Sequence, residues 1–164
     1  MKKLLLIILS LFLLITFVSC KDRQGAPAGM KLASNRSIVD YSLYVPEEWL
    51  VDEASVFTRA HSVADITSVS VYTFALTEDT DIASWWTGVY EPSIKVSLDN
   101  YALIEGEVKG AIDGVASLSY IVSSVSTDTL GEVQYKHKIT VVKSNSKMYV
   151  IWYCSAIGEN TNYY

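Results

Sequence analysis

The chain has few cysteines. Two occur in 164 residues, Cys20 and Cys154, and this scarcity excludes a disulfide-stapled scaffold. Cys154 lies at the end of the apolar run Met148 to Tyr153, where a small buried thiol is expected. Basic clusters are absent as well, and acidic side chains outnumber basic ones 18 to 13. That balance argues against nucleic acid as a partner and against docking of the folded body on anionic lipid. No Cys-x-x-Cys, phosphate-cradling glycine loop, nucleophile elbow or paired-serine motif occurs, so the reading expects no enzyme, no cofactor and no catalytic residue. Internal repeats and low-complexity segments are also missing. A chain with so few cysteines must be held together by its core.

The features that are present begin at the N-terminus. Lys2 and Lys3 lead into an apolar run from Leu4 to Val18, broken only by Ser10 and Thr16, in the manner of a secretory signal. At ~1.5 Å per residue the run reaches roughly 22 Å, short of a ~30 Å hydrocarbon core. Its end, Phe17-Val18-Ser19-Cys20, resembles the lipobox of bacterial lipoproteins, with Phe17 standing where leucine is commoner. The resemblance implies that Cys20 carries a diacylglyceryl thioether and becomes the mature N-terminus. Two acyl chains at ~0.8 kcal/mol per buried methylene hold a membrane firmly, whereas one binds only marginally. The expected organisation is a lipoprotein signal over residues 1–19, a lipidated flexible tether over 20–37 and one domain over 38–164. Gly25, Pro27 and Gly29 suit the tether, which has r.m.s. reach of ~5–6 Å × √n. The expected location is the extracytoplasmic face of the cell membrane.

From Ile38 the pattern is mostly β. Strands are expected at Tyr41 to Val45, closed by Pro46, at Trp49 to Val51, at Ser55 to Ala60 and at Ile66 to Leu76. The period then changes: Ile82, Trp85, Trp86, Val89 and Tyr90 form one stripe of an amphipathic helix that starts at an Asp79 or Thr80 cap and is interrupted by Pro92. Tyr101 to Lys109 is expected to put Ala102, Ile104 and Val108 on one face and Glu105, Glu107 and Lys109 on the other. Asp113-Gly114 marks a tight turn. Ala116 to Thr127, Glu132 to Val142 and Met148 to Ala156 follow as strands, the last apolar on both faces like a central strand covered twice.

The order of these pieces, with the opening Tyr-Ser-Leu-Tyr-Val-Pro-Glu-Glu-Trp (Tyr41 to Trp49) and the hairpin Ile112-Asp113-Gly114, resembles the PsbP-like superfamily, which includes Mog-type Ran-binding proteins and DcrB-like lipoproteins. The resemblance covers about Ile38 to Ile157. It implies an α+β fold, an antiparallel sheet of about six or seven strands packed with helices, and binding or accessory roles in place of catalysis. The family usually closes with a C-terminal helix, and Gly158 to Tyr164 shows no packed element. The expected domain therefore lacks its final helix. Together these features predict a membrane-anchored envelope lipoprotein, attached through lipid on Cys20, that serves as an accessory module for a protein partner. The alternative is small-ligand or glycan binding through an aromatic cleft.

Candidate site residues are few. Trp49, Trp85 and Trp86 are weak candidates for partner or ligand contact, although a core position explains Trp85 and Trp86 better. His137 falls on the apolar face of its strand, where a satisfied core histidine is expected, and His61 lies in a loop with one carboxylate nearby. A zinc site needs three or four converging ligands, so no metal is expected. Glu78, Asp79 and Asp81 suit a helix start, and Glu47, Glu48, Asp52 and Glu53 a solvated turn.

Overall fold

The computed structural model describes residues 26–53, 57–128 and 131–157. The signal segment, the lipobox with Cys20 and the stretch from Gly158 onward lie outside the described residues.

Strands β1 (Met30–Leu32) and β2 (Tyr44–Pro46) form a small antiparallel pair. The main sheet contains β3 (Leu50–Glu53), β4 (Phe57–His61), β5 (Ser68–Ala75), β6 (Ala102–Ile112), β7 (Val115–Asp128), β8 (Gly131–Ser144) and β9 (Lys147–Ala156). Its order is β3-β4-β5-β9-β8-β7-β6, with every neighbouring pair antiparallel. Two meanders therefore meet where β9 pairs with β5. The connection from β5 to the far edge at β6 must pass over β9, β8 and β7, and it does so as a helix on one face. That helix is α1 (Ile82–Trp85), a π turn (Trp86–Tyr90) and α2 (Glu91–Ser97) in unbroken succession.

Local chemistry explains the boundaries. Asp81, one or two residues past the expected cap, accepts a hydrogen bond from the Ser84 N–H at 2.9 Å and so caps α1. Pro92 does not end the helix. It falls in the first turn of α2, where its missing N–H costs least, and the π turn just before it absorbs the mismatch through a Glu91 N–H bond to the Trp86 carbonyl. The five-residue spacing of that turn places Trp85 against Tyr90, stacked at 5.2 Å and 19°. At the hairpins, Asp113 and Gly114 have φ of 50° and 79°, and Asn145 and Ser146 have φ of 50° and 57°. Such paired positive φ values match the right-handed twist of the strands they join.

Two further expectations are overturned. The segment read as tether is ordered from β1 onward: Lys31 pairs with Val45, and Ala33 and Ser34 are buried. Its short apolar residues cover the sheet, which the polar composition of Lys21 to Arg36 does not announce. The alternation assigned to β6 also fails. Register shifts between Leu103 and Glu105, and between Glu105 and Val108, put Ala102, Glu105 and Val108 on one face, and Glu107 adopts φ of 51°. Every residue of this edge strand is exposed.

The sheet has a core on each side. On the helix side, Trp86 stacks flat on Tyr120 at 3.7 Å and 2°, with Trp85, Tyr90 and Ile94 packed over Val122, Ile139, Val141, Met148 and Val150. On the other side, Ala33, Val45, Trp49 and Ala60 form a smaller cluster with Leu43, Val51, Val69 and Tyr153. Among the described residues, no helix is long and apolar enough to cross a membrane.

Candidate binding surfaces

The N-terminal segment covers only part of the face opposite the helix, and beside it runs a groove of about 450 Å³. Its floor is Val71 of β5, Ile151 of β9 and Val142 of β8; one wall is Leu43, and the other is Ile112 with Val115 at the β6–β7 turn. The first wall is fixed by polar contacts. Asp40 accepts from Lys147 Nζ at 2.7 Å and from the Tyr149 hydroxyl at 3.0 Å. The Lys147 hydrogen bond, ahead of that from Tyr149, holds the Asp40 carboxyl below its usual range. Tyr41 donates to Thr58 Oγ1 at 2.8 Å and meets Tyr149 edge-on at 6.2 Å. Ser34 Oγ donates to the Tyr41 carbonyl and accepts from the Leu43 N–H, both at 3.0 Å. The result is a preformed apolar trough with carboxylates, Asp40 and Asp113, at its margin.

The helix-side face carries a buried polar constellation. His137 is 5% exposed, and its Nε2 lies 2.8 Å from Ser124 Oγ. A serine beside a histidine raises the question of nucleophilic catalysis, and the other ring nitrogen answers it. Trp152 Nε1–H donates to His137 Nδ1 at 3.0 Å, so Nδ1 carries no proton. The proton is then on Nε2, which donates to Ser124 and has no lone pair to accept the serine proton. A base locked in the wrong tautomer costs on the order of 10⁴ in rate in a Ser-His-Asp enzyme. Burial also pushes the His137 pKa down to about 4, which keeps the ring neutral. The trio fixes strands to one another; it does not activate a nucleophile.

The remaining candidates sort themselves by burial. Trp49, Trp85 and Trp86 are 4%, 5% and 1% exposed. All three are core residues, so almost no indole surface is left for a partner or glycan. Cys20 lies outside the described residues. His61 faces Asp52 at 3.5 Å, three strands across the sheet from His137, and no group of three metal-ligating side chains occurs among the described residues. Asp81 caps α1 and Asp79 pairs with Lys143. Cys154 is half-buried, with its thiol pushed up to about 11 by burial. Sequence reasoning missed the groove because its lining comes from five separated segments. The only local signal was the Asp113-Gly114 turn that builds one wall.

This architecture, an antiparallel sheet with a helical crossover on one face, is a PsbP/Mog-like fold, and comparison with solved structures bears this out. Cyanobacterial PsbP (CyanoP) from Synechocystis superposes with a TM-score of 0.59 at 13% identity, over 87% of this chain and 88% of that one. The Ran-binding protein Mog1p of Saccharomyces cerevisiae gives 0.52 at 11% identity, over 72% of each chain. A protein of unknown function from Pseudomonas aeruginosa gives 0.51 at 13% identity, over 79% of this chain and 85% of that one. No family model and no curated protein matches the sequence.

Proposed function

We propose that this protein is a non-enzymatic binding module, held on the extracytoplasmic face of the cell envelope by lipid on Cys20, and that it serves a protein partner in an accessory role. The observation that carries the reading is the groove: about 450 Å³ over an apolar floor between two walls, on a sheet whose buried Ser124–His137 pair holds the wrong tautomer for catalysis. Apolar surface of this extent on one side of a small domain suits a docked segment of another protein. The acidic balance keeps the body away from nucleic acid and anionic lipid. One solved neighbour of the fold, a Ran-binding protein, supports a binding role by fold-level analogy.

The test is crosslinking in cells with the full chain and its Ile112→Asp/Val115→Asp variant. Both side chains are little more than a third exposed at a turn, so the unfolding midpoint of the variant is measured beside its crosslinking. Loss of the crosslinked species is expected. Undiminished crosslinking at unchanged stability would refute the groove as the docking surface.

A further inference from the structure

The helix covers the middle of its face and leaves one end open, and there the structure holds a second, chemically different depression of about 200 Å³. Strand register explains its composition. Arg59 pairs with Ser70, which pairs with Trp152; His61 pairs with Ser68, then Cys154, then His137; Phe57 pairs with Tyr72. Cross-strand partners share a face, so these rows bring an arginine, two serines, a thiol and three aromatic rings together. The rings form walls: Phe57 and Tyr72 lie 5.2 Å apart at 34°, and Tyr72 and Trp152 lie 6.5 Å apart at 66°. Unlike the three core tryptophans, Trp152 is only half-buried.

The charge in this depression is single and positive. His137 is neutral, with both nitrogens engaged by Ser124 and Trp152. Cys154 is a neutral thiol that senses the Arg59 charge. Arg59 is exposed and has no ion pair among the described residues; Asp52, opposite it on β3, is turned to His61. A lone guanidinium at the rim of an aromatic, otherwise uncharged bowl calls for one planar anion, which it can grip through two parallel N–H bonds. Size limits the remainder of the ligand. An apolar cavity of ~150 Å³ holds one benzene ring. A depression of about 200 Å³ accommodates one ring with a carboxylate beside the guanidinium. We infer that this depression binds a monocyclic aromatic carboxylate, with the carboxylate on Arg59 and the ring against Phe57, Tyr72 and Trp152. The site lies on the opposite face from the groove, so it stands or falls independently of the protein-partner reading.

The test is calorimetric titration of the full-length chain at pH 7 with benzoate, and with acetate and benzyl alcohol as the separate halves of that ligand. Benzoate should bind one to one. Acetate, benzyl alcohol and the Arg59→Gln variant should each lose at least about tenfold in affinity. Arg59 is exposed, so the variant should fold, and its unfolding midpoint verifies this. A second readout uses the thiol in the bowl: bound benzoate should slow alkylation of Cys154 several-fold in the parent and not in Arg59→Gln. No benzoate binding at 10-mM levels (roughly −3 kcal/mol or weaker), equal affinity for acetate, or unchanged affinity in Arg59→Gln would each overturn the proposal.

Discussion

His137 shows how much a single side chain can fix. Its ring is held by Trp152 on one nitrogen and Ser124 on the other, at the junction of β7, β8 and β9. Because burial lowers its pKa from 6.5 to about 4, the folded chain binds fewer protons than the unfolded chain between those values. Stability from this group is therefore complete above pH 6.5 and is lost as pH falls toward 4, by roughly 3 kcal/mol in all. Urea midpoints measured from pH 7 to pH 4.5 should fall steadily, and His137→Gln should flatten that slope. The carboxylates with lowered pKa, Asp40, Asp65 and Asp81, titrate below this window and do not confuse it. A parent protein with no slope in this range would show that His137 is not held neutral. The position of His137 on the apolar face was legible from the alternation of Val133 to Val141. Its partners were not, because Ser124 and Trp152 reach it only through strand pairing.

At the scale of elements, the helix is attached chiefly by two tryptophans that follow one another in sequence. In a regular helix, adjacent side chains diverge by about 100°. The π turn lets both point inward, Trp85 onto Tyr90 and Trp86 onto Tyr120. Trp86→Ala should therefore cost ~3–5 kcal/mol, read as a fall in the chemical unfolding midpoint. A loss below about 1 kcal/mol would mean that the stack with Tyr120 is not part of the core. The existence and type of this helix followed from its periodicity, since that signal is local. The effect of Pro92 did not, because whether a proline breaks a helix depends on the turn before it. The β6 register was missed for a related reason: a bulge inverts the faces beyond it, and neither Glu105 nor Glu107 declares one. Hairpin turns at Asp113-Gly114 were readable because positive φ selects glycine and aspartate directly.

For the whole molecule, the proposed lipid address and the fold can be tested separately. Both cores of the described domain are built from residues between Ala33 and Tyr153. Cys20→Ser should therefore move the protein from the membrane to the soluble fraction without changing its unfolding midpoint. If the variant still sediments firmly with membranes, or if the intact mass of the parent retains Met1, the lipid anchor is refuted. Strand content and hairpins were visible in the sequence, while strand order was not, and the reason lies in β9. It pairs with β8, its neighbour in the chain, and also with β5, which precedes it by more than seventy residues. That second pairing makes one sheet from two meanders. Without β9, the strands β3 to β5 and β6 to β8 are two half-sheets with raw edges and no ladder between them. Among the described strands, the last one is thus the wedge that turns two separate halves into one body.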